Sequence, residues 1–204
     1  MNNKTLEYYL KNSADLGERY ESAEVADIHN LLLSSFEKES NLLEIGYGTG
    51  RDAAFMLEQG YNVTGIDGSN KMIDMALTYH PELKDHLFVN KLPEDLIFDN
   101  CSFDGVYSVA VLMHFELPVI ILIIELISDI LKPKGRFLFS VPLNRVDLDE
   151  SGYDSEGRLF AMLPEVQWLE LCKSAGFNKI SSSTSSDSLG RSDLTWLTCV
   201  VEKV

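Results

Sequence analysis

Short apolar runs alternate along the chain with stretches in which apolar residues recur at helical spacing. Seven runs have the length and flanking turn residues of strands, and four stretches end at glycine or proline, as helices do. The predicted strands cover residues 41–45, 62–66, 87–89, 103–109, 136–141, 178–182 and 195–201, and the predicted helices cover 51–59, 70–79, 117–131 and 164–175. This alternation predicts right-handed β-α-β units, and therefore an α/β fold with a mainly parallel sheet.

The first forty residues contain apolar positions at helical spacing and no run typical of a strand. These positions are Val25, Ile28, Leu31, Leu32 and Phe36. We predict that residues 1–40 form an N-terminal helical cap, and that residues 41–204 form the main α/β unit of a single compact domain.

Two segments depart from the simple alternation. The serine-rich stretch 181–188 is a possible linker, but strand patterns on both sides favour the mobile connection of a terminal hairpin. The predicted helix 117–131 is apolar on all sides over residues 119–124, although a helix on a sheet needs only one apolar stripe. We interpret this helix as the interface of a possible homodimer; the alternative is that the N-terminal helices cover it.

The composition limits the classes of partner that the protein is expected to bind. The 204 residues include 17 Lys and Arg against 32 Asp and Glu, a formal net charge of −15, which disfavours nucleic acid and anionic membranes as partners. The three cysteines, Cys101, Cys172 and Cys199, form no C-x-x-C pair, so no metal site is expected. The polar N-terminus does not resemble a signal peptide, and the apolar runs are too short to span a membrane. We therefore expect a cytoplasmic protein.

The candidate chemistry lies in a glycine-rich loop between the first predicted strand and the following helix. Its sequence, Gly46-Tyr47-Gly48-Thr49-Gly50, has neither the G-x-G-x-x-G spacing of a dinucleotide site nor the Gly-Lys-Ser/Thr of a P-loop. Instead, Glu44 precedes the first glycine by two residues. Asp67 ends the second strand, 21 residues after Gly46, where an acid can accept hydrogen bonds from both hydroxyls of a ribose. The loop and the two acids predict an adenosine-type ligand.

These residues resemble the class I S-adenosylmethionine-dependent methyltransferases. The matching segments are LLEIGYGTG, VTGIDGS, KLPED, SFDGVYSVAVLMHF, LKPKG and LCKSAGF, with Lys134 in LKPKG replacing a usual glycine. The resemblance implies a Rossmann-like, doubly wound sheet of seven strands with an antiparallel last strand. It also implies S-adenosylmethionine as cofactor and S-adenosylhomocysteine as product.

The resemblance also implies roles for individual residues. Glu44 and Gly46 would border the methionine part of the cofactor, and Asp67 would bind its ribose. The full set of predicted cofactor-binding residues is Tyr20, Glu44, Gly46, Tyr47, Gly48, Gly50, Arg51, Asp67, Gly68, Ser69, Met72, Leu92, Pro93, Ser108 and Ala110. Tyr20 belongs to this set because N-terminal segments fold over the cofactor as a lid in related enzymes; the alternative is that it only anchors its helix.

The substrate side has fewer candidates. His114 follows the fourth predicted strand and titrates near neutral pH, so it is the candidate general base; a packing role is the alternative. Tyr8, Tyr9 and Arg145 are the other residues predicted to face the substrate, and Arg158 could also hold an anionic substrate, although surface charge is the commoner explanation for both arginines.

The sequence favours a methyltransferase that acts on a small molecule through an oxygen, nitrogen or sulfur atom. The fourth strand continues as SVAVLMHF, without the Asn/Asp-Pro-Pro-aromatic motif of N6-adenine enzymes or the Pro-Cys of cytosine-C5 enzymes. Two alternatives remain open. One is a non-catalytic protein that binds S-adenosylmethionine or S-adenosylhomocysteine for regulation, which a plugged sheet end would favour. The other is an RNA methyltransferase, which would require a basic rim.

Overall fold

The computed structural model describes residues 3–191 and 194–204. In this range, helices and strands alternate after three N-terminal helices. The helices are α1 (Asn3–Lys11), α2 (Ser13–Glu21), α3 (Ala26–Ser35), α4 (Arg51–Glu58), α5 (Asn70–Tyr79), α6 (Leu117–Ile130) and α7 (Glu165–Ser174). The strands are β1 (Asn41–Ile45), β2 (Asn62–Asp67), β3 (Leu87–Val89), β4 (Phe103–Val109), β5 (Leu131–Pro142), β6 (Phe177–Ser186) and β7 (Thr195–Lys203).

The strands form one seven-stranded sheet in the order β3-β2-β1-β4-β5-β7-β6. Pairing from β3 to β5 is parallel, and β7 runs antiparallel to both of its neighbours. The prediction of a mainly parallel, doubly wound sheet with an antiparallel last strand is confirmed. The strand order reverses between β1 and β4, and a crevice opens beyond the carboxyl ends of the strands at such a reversal.

Two apolar cores lie on opposite faces of the sheet. Helices α6 and α7 pack on one face, where Trp168 and Phe137 are fully buried. Helices α3, α4 and α5 pack on the other, where Leu32 and Met56 are fully buried. The N-terminal helices therefore lie on the side opposite α6, so the explanation that they cover α6 is wrong for the described residues.

Helix α6 buries most of its apolar residues within the chain. Ile120, Ile123 and Ile127 are fully buried in the core shared with α7. Ile121 and Leu122 remain 39% and 43% exposed. The apolar character of residues 119–124 is therefore explained largely by packing within the chain.

The serine-rich stretch is a strand where we predicted a mobile connection or linker. Residues 181–186 belong to β6, which pairs residue by residue with β7, and only residues 187–194 connect the two strands. Strand β6 lies at the edge of the sheet with most of its side chains exposed, so it needs backbone pairing but few apolar residues. This explains why the strand-like pattern of the sequence ends at Ser182 although the strand continues to Ser186.

The N-terminal helices reach the carboxyl edge of the sheet. In α1, the hydroxyl oxygen of Thr5 accepts a hydrogen bond from the backbone N–H of Leu159 at 3.0 Å. In α2, Gly17 allows close approach to α5, because a Cβ atom there would lie 2.4 Å from Sδ of Met75. These contacts place α1 and α2 over the end of the sheet where the strand order reverses.

Candidate active site

A cavity of about 930 Å³ opens at the carboxyl ends of β1, β2 and β4. It runs from the glycine-rich loop to the inner surface of the N-terminal helices. The residues predicted for the cofactor that line it are Tyr20, Glu44, Gly46, Tyr47, Gly48, Arg51, Asp67, Gly68, Met72, Leu92 and Ala110. Those predicted for the substrate that line it are Tyr9, His114 and Arg145. The structure thus brings together residues that are far apart in the sequence.

The glycine-rich loop presents its backbone to the cavity. Gly46 and Gly48 have left-handed φ angles of 78° and 55°, a conformation that glycine adopts without strain. A Cβ atom on Gly46 would lie 2.3 Å from Cγ2 of Val111, whereas one on Gly48 would meet no atom within 4 Å. Gly46 is therefore required by close packing, and Gly48 leaves open space in which a ligand can approach the backbone.

Asp67 lies at the end of β2 with its carboxylate beside this loop. Its two oxygens accept hydrogen bonds from the backbone N–H groups of Gly48 and Ser69, at 3.2 and 2.9 Å. Burial raises the pKa of Asp67 to about 6, although these two hydrogen bonds act in the opposite direction. The carboxylate has further lone pairs available, and it is held at the place where the sequence predicts a ribose.

Glu44 is a second buried carboxylate near the loop, only 3% exposed. The hydroxyl of Tyr107 donates a hydrogen bond to it at 3.2 Å. Burial raises the pKa of Glu44 well above its usual range, and the negative charges of Asp52 and Asp67 add to the effect. A cation bound beside Glu44 would relieve this cost, and S-adenosylmethionine carries positive charge on its sulfonium and amino groups.

Two buried hydroxyls near Asp67 have no partner among the described residues. They are the phenol of Tyr47 and Oγ of Ser69. A buried polar atom without a hydrogen bond is costly, and such atoms often mark a place where a ligand or water binds. Of the two residues, Tyr47 lines the cavity and Ser69 does not. The open backbone at Gly48, the buried carboxylates and the Tyr47 hydroxyl together fit a polar, cationic nucleoside such as S-adenosylmethionine.

Arg51 and Asp52 connect the first turn of α4 to the N-terminal helices. The Arg51 guanidinium donates to the backbone carbonyl of Tyr20 at 2.8 Å and to both oxygens of Asp52. Nε2 of His29 donates to Asp52 at 2.9 Å. Burial alone would raise the pKa of Asp52, but the contacts with His29 and Arg51 outweigh it and hold the value at about 2. Asp52 was not among the predicted site residues, because its contact with His29 depends on how α3 packs against α4.

His114 lies at the far end of the cavity from Asp67. Its Nδ1 is 2.7 Å from the backbone carbonyl of Leu159, and its Nε2 is 2.8 Å from the hydroxyl of Tyr9. Burial lowers the pKa of His114 to about 4, and the charges of Arg158 and Arg145 act in the same direction. The imidazole is therefore neutral near pH 7 and hydrogen-bonded at both nitrogens.

The two arginines predicted at this end are paired with acids. Arg145 donates to Asp147 at 2.6 Å and to Asp154 at 3.1 Å, and Arg158 donates to Asp154 at 2.8 Å. The guanidinium of Arg145 also lies 3.9 Å from the ring centre of Phe160. Because each positive charge has an acidic partner, these arginines do not create a net positive site for an anionic substrate.

A row of hydroxyls forms the wall of the cavity opposite the glycine-rich loop. Ser140 of β5 pairs with Thr198 of β7, which pairs with Ser183 of β6, and all three line the cavity. Trp196 and Ser185 extend this wall by two residues along the same strands. None of these residues was predicted to belong to the site, although the alternation of Trp196 and Thr198 with apolar residues was a usable signal.

The described residues that line the cavity do not include five of the predicted site residues. These five are Tyr8, Gly50, Ser69, Pro93 and Ser108. Oγ of Ser108 instead donates to the backbone carbonyl of Ile45 at 3.2 Å and so joins β4 to β1. Gly50 closes the loop by donating its N–H to the carbonyl of Tyr47 at 2.8 Å. Both residues shape the site from behind it.

The other three lie next to residues that do line the cavity. Tyr8 and Tyr9 are neighbours on α1, so their side chains point in different directions. The ring of Tyr8 packs against the guanidinium of Arg158 at 4.4 Å. Ser69 acts through its backbone bond to Asp67, and Pro93 directly follows the cavity-lining Leu92.

The strand order, the glycine-rich loop and the buried acids at the ends of β1 and β2 define a class I S-adenosylmethionine-dependent methyltransferase fold. The chain belongs to the family of methyltransferase domains, whose profile matches residues 18–182. The expected family and fold are thereby confirmed, and S-adenosylmethionine is the methyl donor that this family uses.

Solved structures with this fold include two that cover nearly the whole chain. One is 1,6-didemethyltoxoflavin-N1-methyltransferase from Burkholderia thailandensis, with 1,6-didemethyltoxoflavin and S-adenosylhomocysteine bound. It is 21% identical, with a TM-score of 0.79 over 98% of this chain and 88% of the other. The other is the [4+2]-cyclase SpnF, 15% identical, with a TM-score of 0.71 over 97% of this chain and 94% of the other.

A sequence relative is the O-methyltransferase rstn1 of Aspergillus nomiae, 35% identical over 81 residues. This match covers 37% of the present chain and about a third of the length of that relative. Among the described residues, no helix is long and apolar enough to cross a membrane, and no group of three or more His, Cys, Asp and Glu side chains is arranged to bind a metal ion.

Proposed function

We propose that this protein transfers a methyl group from S-adenosylmethionine to a small-molecule acceptor. The observation that carries the proposal is that one cavity is lined by Glu44 and Asp67 of the predicted cofactor site and by His114 of the predicted substrate site. Its volume of about 930 Å³ is near the upper end of the range of about 300–1,000 Å³ for small-molecule sites. It therefore offers room for a second molecule beside the cofactor.

The residues at the two ends would have different tasks. Asp67 would accept hydrogen bonds from the ribose hydroxyls, and Glu44 would face the positively charged methionine part. When bound, S-adenosylmethionine supplies a methyl group that is already activated for transfer. The protein then has to hold the acceptor in line and exclude water, and helices α1 to α3 serve this purpose as a cap over the cavity.

Two alternatives receive less support. A regulatory protein that only binds the cofactor would be favoured by a plugged sheet end, whereas here the cavity extends past the glycine-rich loop. An RNA methyltransferase would need a basic rim, whereas the acidic residues that line the cavity outnumber the basic ones. The Burkholderia neighbour, which has 1,6-didemethyltoxoflavin bound, supports the small-molecule proposal.

Calorimetry with S-adenosylmethionine and S-adenosylhomocysteine tests the cofactor end. We expect Asp67→Ala to weaken binding by about 10- to 100-fold, because the variant loses charge-assisted hydrogen bonds to the ribose. Asp74→Ala is the matched control, since Asp74 is an exposed acid on α5 outside the cavity. Absence of binding by the wild-type protein, or equal affinity in Asp67→Ala, would refute the proposal.

Transfer of labelled methyl groups tests the substrate end. The protein is incubated with S-adenosylmethionine labelled in the methyl group and with a mixture of cell metabolites, and labelled products are then separated. We expect label in a small organic product and none in RNA added to the same reaction. Cofactor binding without any transferred label would favour the regulatory alternative.

A further inference from the structure

The hydrogen bonds of His114 fix which of its nitrogens carries the proton. A backbone carbonyl can only accept, so Nδ1 must donate to Leu159 at 2.7 Å. In the neutral imidazole, Nε2 then has a lone pair, and it accepts the hydrogen bond from the hydroxyl of Tyr9 at 2.8 Å. Tyr9 is consequently held with its proton directed at His114. The hydroxyl of Tyr20 is also hydrogen-bonded to Tyr9 and must then be the donor, which leaves one lone pair of the Tyr9 oxygen for another donor.

The position of Tyr9 makes this oxygen available to a substrate. Tyr9 and His114 both line the cavity, yet one is on α1 and the other is in a short 3₁₀ helix after β4. The hydrogen bond therefore joins the N-terminal cap to the wall of the sheet. The ring of Tyr9 lies edge-on to that of His114, with ring centres 5.5 Å apart.

His114 is a poor general base in this arrangement. Both of its nitrogens are hydrogen-bonded, it is buried, and the two nearby cations, Arg145 and Arg158, disfavour a positive charge on the imidazole. The negative charge of Asp154 acts against this effect of the arginines, but its carboxylate already accepts hydrogen bonds from both of them. Tyr9 and Tyr20 are neutral, and burial raises the pKa of each phenol.

The carboxylate of Asp187 at this end of the cavity is also occupied. It accepts hydrogen bonds from the Arg191 guanidinium and from the indole N–H of Trp196 at 2.9 Å. The oxygens of Asp187 are therefore already engaged in an ion pair and in hydrogen bonds. Within the described part of the chain, the substrate end thus offers hydrogen-bonding groups but no buried acid or imidazole that is free to remove a proton.

We propose that Tyr9, oriented by His114, accepts a hydrogen bond from the methyl acceptor, and that the acceptor atom is an uncharged nitrogen. This inference rests on the proposed methyltransferase function. An alcohol oxygen needs a base to remove its proton as it attacks, whereas a neutral amine or ring nitrogen attacks with its own lone pair. Tyr9 is then the residue that contacts the acceptor, and His114 is a positioning residue that acts through Tyr9.

The bonds, charges and protons of the methyl transfer can all be accounted for without a base from the protein. The lone pair of the acceptor nitrogen forms the new N–C bond as the S–C bond breaks, and the electron pair of the broken bond stays on sulfur. The positive charge passes from sulfur to nitrogen, and the N–H proton leaves to bulk water. The hydrogen bond to Tyr9 fixes the direction of the nitrogen lone pair before the reaction.

NMR of the imidazole nitrogens tests the Tyr9–His114 pair without any substrate. The protein is labelled with isotopic histidine and saturated with S-adenosylhomocysteine, and His114 is assigned from the spectrum of His114→Gln. We expect His114 to stay neutral, with its proton on Nδ1, between about pH 6 and 8. Tyr9→Phe should shift the Nε2 resonance, whereas Tyr8→Phe, which removes a hydroxyl outside the cavity, should leave it in place. Titration of His114 in this range, or an Nε2 resonance unchanged by Tyr9→Phe, would overturn the inference.

The product of the labelling assay tests the acceptor atom. We expect an N-methyl group, and we expect Tyr9→Phe to raise the KM for that acceptor about tenfold, the effect of one lost neutral hydrogen bond. The affinity for S-adenosylhomocysteine should be unchanged in this variant. A methyl ether as product would overturn the inference while leaving the methyltransferase function intact, whereas failure of the wild type to bind cofactor would refute the function itself.

Discussion

Among the single residues of the site, Asp67 is the one that we expect to couple cofactor binding to pH. Its pKa is raised to about 6 by burial, so the carboxylate is protonated in an increasing fraction of molecules as the pH falls below that value. In the proposed binding mode, only the ionised form would accept hydrogen bonds from both ribose hydroxyls. We therefore expect the affinity for S-adenosylhomocysteine to be highest above pH 6 and to fall below it by up to about tenfold per pH unit.

Calorimetry across this range checks the dependence, with Asp67→Asn as the matched variant. This variant should bind more weakly and lack the transition near pH 6. A wild-type affinity that stays constant between pH 5 and pH 7 would contradict the role of Asp67. Glu44, whose pKa is also raised, acts in the same direction and can only steepen the loss at low pH.

The contacts of Asp52 bear on the stability of the fold. The contacts with His29 and Arg51 hold its pKa at about 2, against an ordinary value of 3.8. A lowered pKa stabilises the folded protein above pH 3.8, and this contribution is lost as the pH falls through 2. At neutral pH we expect Asp52→Asn to lower the free energy of unfolding by about 2 kcal/mol.

Urea unfolding at pH 7 measures this difference. Asp74→Asn, which changes an exposed acid on α5, should unfold with nearly the wild-type midpoint. If Asp52→Asn also unfolded at the wild-type midpoint, the network that joins α3 to α4 would not contribute to stability.

The site residues that could be predicted from the sequence differ from the others in how far along the chain their contacts reach. Glu44 and Asp67 are recognisable because their roles follow from local spacing around a glycine-rich loop. The contact of Asp52 with His29 and that of Phe160 with Arg145 join separate segments, and no local spacing predicts them. The same holds for Tyr8 and Tyr9, because only the docking of α1 decides which of two adjacent tyrosines faces the cavity.

At the scale of elements, most of the fold follows from the alternation of apolar runs. Strands β1 to β4 and helices α4 and α5 match their predicted positions to within one residue. Strand β5 begins at Leu131, five residues before its predicted start, and β6 extends to Ser186, four residues past its predicted end at Ser182. Strand β6 is an edge strand with an exposed face, and backbone pairing with β7 stabilises it. Such pairing does not require a periodic pattern of apolar residues in the sequence.

Helix α6 is the element on which the homodimer hypothesis rests. Its exposed face has Ile121 and Leu122 next to the acids Glu125 and Asp129. In a symmetric contact this small face would bring like charges together, and a stable interface buries about 800 Å² on each partner. We therefore expect the chain to sediment with the mass of one chain at micromolar concentration. A mass of two chains that falls to one in Leu122→Glu would instead establish the homodimer.

For the molecule as a whole, charge is the property that bears most directly on its partners. The formal net charge is −15, and arginines at the cavity are largely paired with acids. These pairs are Arg51 with Asp52, Arg145 with Asp147 and Asp154, Arg158 with Asp154, and Arg191 with Asp187. The remaining field is negative, which repels a phosphate backbone but attracts a cationic cofactor.

We expect no binding of RNA or DNA at micromolar protein, even at low salt, where attraction to phosphates is strongest. Fluorescence anisotropy of a labelled single-stranded RNA and of a labelled DNA duplex measures this, with S-adenosylhomocysteine binding by the same sample as the control for correct folding. Binding whose affinity fell steeply with added salt would reveal a basic surface and revive the RNA methyltransferase alternative. If no such binding is found, we expect an acceptor small enough to enter the cavity between the sheet and the N-terminal helices. We also expect it to be neutral or cationic, because the acids around the cavity would repel an anion.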